Sequence, residues 1–360
     1  MIKSSNAIRV LIVDDSAFMR KVLQDILDSD PEIKVVGVAK NGIEALDIAG
    51  LVKPDVITLD VEMPEMNGLE CLKRLLKQGS YAVIMVSSVT TKGAKSTIEA
   101  LNIGAVDFIA KPDNIFQISG DEKRKELIQK VKVAKEAGLI NLTKKADIKK
   151  KQFSGQKAPV IEKIIAIGTS TGGPRALQRV IPFLPGDLPA AVVVVQHMPQ
   201  GFTRSLASRL NDISEMTVKE AEDDELMKAG YVYIAQGDRH LLLSKRGNDI
   251  ILRLDDSDPI SGHRPSFDKM LFSMDKLGQN NIIGVIMTGM GTDGSKGLKG
   301  LKEKADIHII AQDEKSCIVY GMPRAVIEMG IADQVVPLDQ IPAAILDFMG
   351  VRDNGHEPIS

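Results

Sequence analysis

The sequence predicts an α/β protein of two domains, each built on a parallel sheet. Three observations carry this. Short β-branched runs alternate with amphipathic helical periods along most of the 360 residues. The runs are almost continuously apolar, as strands covered on both faces require. A polar, Lys-rich stretch interrupts the alternation, and at roughly 150 residues per domain the length suits a division there.

In the N-terminal half, strands are expected at Ile8 to Val13, Lys34 to Ala39, Val56 to Leu59, Val83 to Val86 and Val106 to Ile109. Helices are expected to begin near Ala17, Gly42, Gly68 and Ala94 between them. Residues 121–157 carry 12 Lys and Arg against 5 Asp and Glu. Up to Ala137 this stretch reads as a helix closing the first domain. Beyond Gly138 it reads as a solvated linker or a basic docking segment. Strands resume at Ile164 to Ile167, Ala191 to Gln196, Ile282 to Met287 and Ile307 to Ile310, with helical periods after Gly173, Gly201, Pro265 and Ser295. Tyr231 to Ala235, His240 to Ser244 and Ile250 to Leu254 are joined by turn signals and read as antiparallel hairpins. The expected divisions are a first domain over 1–137, a linker over 138–160, a second domain over 161–350 and a tail over 351–360.

Composition excludes several classes. The net charge of −2 argues against a polyanion binder, and the absence of Trp argues against a stacking platform for single strands. Cys71 and Cys317 make neither a disulfide scaffold nor a zinc pattern and read as buried thiols. No apolar stretch approaches the roughly 18 residues of a membrane span, and the N-terminal run is broken by Asp14 and Asp15, so a soluble cytoplasmic protein is expected.

Chemistry-bearing residues collect at the C-terminal ends of the first set of strands, where open α/β sheets place their sites. Asp14 and Asp15 follow the first strand, Asp60 the third, Ser87 the fourth, and Lys111, before Pro112, the fifth. Three carboxylates in one crevice repel one another, and Mg²⁺ with oxygen ligands is the natural compensation. One carboxylate can then attack a phosphodonor, while Lys111 neutralises a phosphoryl oxygen and Ser87 donates a hydrogen bond to another.

The segments VDDS, DVEMPEMNGLE, MVSS and DFIAKP resemble a response-regulator receiver domain over about residues 8–137. The resemblance implies a flavodoxin-like fold with a five-stranded parallel sheet and phosphorylation at Asp60. It further implies Mg²⁺ held by Asp15, Asp60 and the main-chain carbonyl of Glu62, with Asp14 assisting. Ser87 and Lys111 would contact the phosphate, and Phe108 would be the aromatic switch. Asn67 departs from the Asp common before this glycine.

In the second half, GTSTGG (Gly168 to Gly173) follows a strand and opens a helix, and its first five residues fit G-x-S-x-G. Such a turn lifts a Ser side chain toward a helix N-terminus suited to a developing oxyanion. The spacing fits neither a P-loop nor a dinucleotide site. His197 and Asp293 follow other strands of the same sheet, so Ser170, His197 and Asp293 fall at one edge, as a Ser-His-Asp triad requires.

IGTSTGGP, QHMP, YIAQGDRHL, HRPSFDKML, MTGMGTDG and AQDEKSCIVYGMPRAV resemble the catalytic domain of the chemotaxis protein-glutamate methylesterases, from about Lys163 to Met349. The strand pattern of this half reads as a doubly wound, mostly parallel sheet with an antiparallel extension. The resemblance implies Ser170 as nucleophile, His197 as general base then acid, Asp293 as its orienting partner and the Met290 N–H as oxyanion donor. Thr169, Thr171 and Gly172 would shape the nucleophile turn; Thr169, Pro174 and Gln236 depart from common family residues. The implied activity is hydrolysis of glutamyl methyl esters on methyl-accepting chemoreceptors, releasing methanol, with deamidation of receptor glutamines. The esterase would need no cofactor, and a chemotaxis histidine kinase would be the phosphodonor. Neither nucleic acid nor membrane insertion is expected. The unphosphorylated receiver is expected to cover the crevice around Ser170. His240, His263, His308 and His356 read as structural or exposed, and Arg264 as structural or a contact to substrate or receiver.

Overall fold

The computed structural model describes residues 7–111, 121–137, 160–277 and 281–350. The expected tail, all of the linker but residue 160, Pro112 and His356 lie outside the described residues. The chain divides into two compact units, Met1–Lys144 and Lys145–Ser360.

The first unit carries β1 (Ile8–Val13), β2 (Ile33–Ala39), β3 (Val56–Asp60), β4 (Ala82–Ser87) and β5 (Asp107–Ala110). They pair in parallel in the order β2-β1-β3-β4-β5. This is the flavodoxin-like order, which sets a switch point beside β1. Every residue of β3 and β4 is buried, which explains their unbroken apolar text. The helices α1 (Ala17–Leu27), α2 (Gly42–Val52), α3 (Gly68–Gln78) and α4 (Thr91–Ile103) begin at Ser16, Asn41, Asn67 and Thr90, whose side chains accept from main-chain N–H groups of the first turn. Capped by Thr90, α4 starts at Thr91, three residues before the expected Ala94. The closing helix α5 (Asp121–Ala137) buries Leu127, Val131 and Ala134, one helical face. At Gly68 a Cβ would stand 2.1 Å from the carbonyl oxygen of Asp60, so α3 can start against the end of β3 only with glycine there.

The second unit has a wholly parallel sheet of seven strands. These are β6 (Lys163–Thr169), β7 (Ala190–Gln196), β8 (Thr217–Glu220), β10 (Tyr231–Ile234), β13 (Ile282–Ile286), β14 (Ile307–Gln312) and β15 (Gln334–Val336). Their order is β15-β14-β13-β6-β7-β10-β8. The chain enters at β6, builds outward through β7, and later returns to lay β13 on the other side of β6. The reversal opens a crevice at the C-terminal ends of β13, β6 and β7. A separate antiparallel sheet joins β9 (Glu225–Leu226), β11 (His240–Arg246) and β12 (Asp249–Asp255).

One expectation is corrected. Tyr231–Ile234 is not part of a hairpin but runs parallel between β7 and β8. Val232, Tyr233 and Ile234 are wholly buried, the demand of a central strand and not of a half-exposed ribbon. The edge strands β8 and β15 escaped sequence reading because they are only four and three residues long and half-exposed, too short to show a strand period. Helices follow as α6 (Gly173–Val180), α7 (Phe202–Ile213), α8 (Phe267–Met274), α9 (Ser295–Lys302), α10 (Gly321–Glu328) and α11 (Ile341–Phe348).

The ring of Phe267 is fully buried against the end of β6, where a Cβ on Gly168 would fall 2.1 Å from its Cδ1. Gly168→Ala is therefore expected to destabilise the chain by about 1–3 kcal/mol through overpacking, read as a lower midpoint in chemical unfolding.

Candidate functional site

In the first unit, carboxylate oxygens of Asp14, Asp15 and Asp60 lie within 4.8 Å of one another. Asp14 and Asp60 are buried and Asp15 is exposed. Lys111 Nζ stands 2.8 Å from Asp14 Oδ2 and 2.7 Å from Asp60 Oδ2. The N–H of Ser16 donates to Asp14 and that of Glu62 to Asp60. Burial pushes the Asp60 carboxyl up to about 6, against the pull of the Lys111 hydrogen bond and charge. One ammonium among three carboxylates leaves an oxygen set suited to a hard cation. The set spans little more than the roughly 4 Å across an octahedral oxygen shell.

Ser87 is buried at the end of β4, and the main chain of Lys111 donates to its carbonyl at 2.6 Å. Phe108 is buried, with Lys130 Nζ 5.2 Å from its ring centroid and 2.6 Å from its carbonyl oxygen. The Glu62 side chain turns to Lys92 at 3.3 Å.

In the second unit the pairing Thr169↔Gln196 sets Ser170 and His197 side by side, each one residue past the end of its strand. Gln196 Nε2 fixes that spacing by donating to the carbonyls of both Ser170, at 2.9 Å, and His197, at 3.1 Å. The Ser170 N–H donates to Thr288 O, and Thr169 Oγ1 donates to the same oxygen at 2.7 Å. The departure at Thr169 thus ties the nucleophile turn to the loop after β13. Gly172, at φ 78°, makes the left-handed step that starts α6.

His197 Nε2 pairs with Asp293 Oδ2 at 2.8 Å. Asp293 accepts three further hydrogen bonds at the start of α8: Ser266 Oγ at 2.9 Å, Phe267 N at 2.7 Å and Asp268 N at 3.0 Å. Burial alone would raise its pKa, but the His197 hydrogen bond and charge, with the Asp268 and Phe267 N–H groups, hold it down at about 2. His197 Nδ1 is buried and has no hydrogen-bond partner among the described residues. The imidazole therefore meets the carboxylate with its far nitrogen and keeps its near nitrogen for another group.

The loop after β13 lies against Ser170. A Cβ on Gly289 would fall 2.9 Å from Ser170 Cβ. The N–H and C=O of Gly289 are both engaged, by Val319 and Met322. The next N–H, that of Met290, finds no acceptor among the described residues.

A family model described as CheB methylesterase matches residues 165–345, and one described as response regulator receiver domain matches residues 10–119. The protein-glutamate methylesterase/protein-glutamine glutaminase of Geobacillus kaustophilus is 49% identical over 346 residues, 95% of this chain and 99% of that one. The chain belongs to the CheB methylesterase family. The Thermotoga maritima relative of the same description is 48% identical, over 96% of this chain and 100% of that one. The crystal structure of the Thermotoga maritima CheB methylesterase catalytic domain matches at a TM-score of 0.50 and 48% identity, covering 53% of this chain and 98% of that one.

Against this family background, the expected Ser170, His197 and Asp293 lie at neighbouring strand ends of one sheet. Asp14, Asp15, Asp60 and Lys111 meet in the other unit. Sequence reasoning missed Gln196 and Ser266, and read His263 as structural or exposed without its contact to His197. The imidazole of His263 stacks on that of His197, with centroids 3.9 Å apart and planes 9° apart. The available signal was the HRPSFDKML segment, which carries both His263 and the Ser266 that bonds Asp293. Arg264 bonds Asp256 O and Ser257 O, a structural part. His240 bridges Asp258 O and Ser266 N, and His308 stacks on Phe348. Cys71 and Cys317 are free and buried.

A carboxylate held below its unfolded value stabilises the fold above about pH 4, and that contribution is lost as pH falls toward about 2. Asp293→Asn is expected to lower stability at pH 7 by about 2 kcal/mol or more, by leaving buried donors short of an acceptor. It is also expected to flatten the loss of stability between about pH 4 and 2, measured by chemical unfolding at each pH.

Proposed function

We propose that this chain is a phosphorylation-regulated serine esterase that hydrolyses glutamyl methyl esters on chemoreceptors and deamidates receptor glutamines. The observation that carries the reading is the buried His197–Asp293 pair at 2.8 Å, set beside Ser170 at the switch point of a parallel sheet. Four relatives at 47–49% identity, described as protein-glutamate methylesterase/protein-glutamine glutaminase, support the substrate class.

Ser170 Oγ attacks the ester carbonyl while its proton passes to His197 Nδ1. The Asp293 carboxylate stabilises the imidazolium through Nε2–H, and the Met290 N–H receives the oxyanion. The C–O bond to methoxide breaks, and the proton on Nδ1 leaves with methanol. Water, deprotonated at the same Nδ1, attacks the glutamyl-enzyme and frees Ser170 and a carboxylate. With glutamine as substrate the leaving group departs as ammonia. None of these steps calls for a cofactor.

The other unit, as a receiver over 1–137, governs this activity. Asp60 is the phosphoacceptor, Lys111 and Ser87 bind the phosphoryl oxygens, and buried Phe108 is the group that repacks. Asp14, Asp15, Asp60 and the Glu62 carbonyl would hold Mg²⁺, which supplies charge neutralisation around the phosphoryl group when bound. The catalytic domain spans 161–350, joined through the linker 138–160 and followed by the tail 351–360. The substrate is the cytoplasmic helical bundle of methyl-accepting chemoreceptors and the donor a chemotaxis histidine kinase, which places the chain in the cytoplasm. No helix among the described residues is long and apolar enough to cross a membrane.

The test is methanol release from methylated chemoreceptor. Ser170→Ala is expected to lower it by about 10³-fold or more. A retained rate would sink the serine mechanism. Release should rise when a small acyl phosphate and Mg²⁺ are added. Chelating the metal, or the substitution Asp60→Asn, should abolish that rise.

A further inference from the structure

The hydrogen bond to Asp293 holds the His197 ring at its Nε2 edge and does not by itself set the tilt of the ring plane. The segment that supplies Ser266, Phe267 and Asp268 to Asp293 also carries His263. His263 is fixed from its own side by a bridge to Ile260, with main-chain bonds of 2.9 and 3.1 Å in both directions. Ser261 and Gly262, at φ 52° and 81°, make the tight turn between them. The following Arg264 is held by Asp256 O and Ser257 O and accepts from the Asp238 N–H. The result is a half-buried imidazole lying flat on His197. One short stretch thus grips His197 twice, at its edge through Asp293 and on its face through His263.

We infer that His263 is a positioning residue for the esterase reaction, whose stacked ring holds the His197 imidazole in the plane that presents Nδ1 to Ser170. The inference rests on the reading of Ser170 and His197 as nucleophile and base. His263 touches neither of the bonds that change. It acts by removing the out-of-plane freedom that the single Nε2 hydrogen bond leaves. A flat ring of another kind serves the same purpose, and a flexible or small side chain does not.

The experiment uses the full-length chain, with acyl phosphate and Mg²⁺ present, and an alkyl fluorophosphonate as the probe. Ser170 Oγ displaces fluoride from phosphorus: a P–O bond forms, the P–F bond breaks, and the serine proton goes to Nδ1. Mass spectrometry follows the rate of labelling at Ser170. His263→Ala is expected to label about tenfold more slowly than wild type, the scale of an aromatic face contact, with an unchanged melting temperature. His263→Phe is expected to recover to within about threefold of wild type, the direction expected of a retained face contact. Methanol release should follow with kcat, leaving KM nearly constant. Wild-type labelling in His263→Ala, or His263→Phe no better than His263→Ala, would overturn the inference while leaving the esterase reading intact. A folded wild type that resists labelling would overturn both. Should His263→Ala not fold, His263→Leu replaces it, and equal rates for His263→Leu and His263→Phe would overturn the inference.

Discussion

The second unit's site depends on one buried carboxylate. Asp293 is 5% exposed and takes four hydrogen bonds, from His197, Ser266, Phe267 and Asp268. A buried charge with fewer partners would cost more than the fold can spare. These donors come from two distant stretches, so satisfying the carboxylate forces the loop after β7, the loop after β13 and the start of α8 to one point. Helix α8 contributes its N-terminal N–H groups, where a negative charge is favoured. The orientation of the histidine is thus a by-product of a folding requirement, which is why it can be set before any substrate arrives.

The acidic pocket of the first unit is built on the same sheet-edge logic but left unbalanced. Both sites place carboxylates at the C-terminal ends of parallel strands. At Asp293 the surrounding donors outweigh burial, and the carboxyl is held at about 2. At Asp60 burial outweighs the Lys111 charge and hydrogen bond, and the carboxyl rises to about 6. The contrast matches the two proposed roles. A group that orients an imidazolium works best as a permanently charged, fully bonded anion. A group that must take up a phosphoryl group benefits from partners that are incomplete without a cation.

Much of this was legible in the sequence because the carrying residues are local. VDDS, DVEMP and Lys111 sit at strand ends, and near-continuous apolar runs announce buried parallel strands. The G-x-S-x-G turn and QHMP sit at adjacent strand ends for the same reason. What was not legible is long-range. Tyr231–Ile234 reads like its hairpin neighbours, and only pairing with Val192–Val194 makes it a central strand. The stack of His263 on His197 depends on a tight turn more than sixty residues away in the chain. The double donation of Gln196 depends on strand register. None of these has a periodicity to betray it.

The sheet order also accounts for the ring's unusual polarity. In the familiar Ser-His-Asp arrangement the carboxylate meets Nδ1 and the serine meets Nε2. Here β6 lies between β7 and β13. His197 follows β7, so reaching Asp293 after β13 means crossing the end of β6, roughly two strand spacings of about 4.8 Å each. Nε2, the nitrogen farther from the backbone, is the one that spans this distance, and it is the one bonded to Asp293. Ser170 follows the intervening strand directly, and the pairing of Thr169 with Gln196 sets its backbone beside that of His197. In the proposed triad, with its members in the order Ser, His, Asp after β6, β7 and β13, this topology commits Nε2 to the carboxylate and leaves Nδ1 for the serine. The stack of His263 adds a contact on the face of this extended ring to the one at its Nε2 edge.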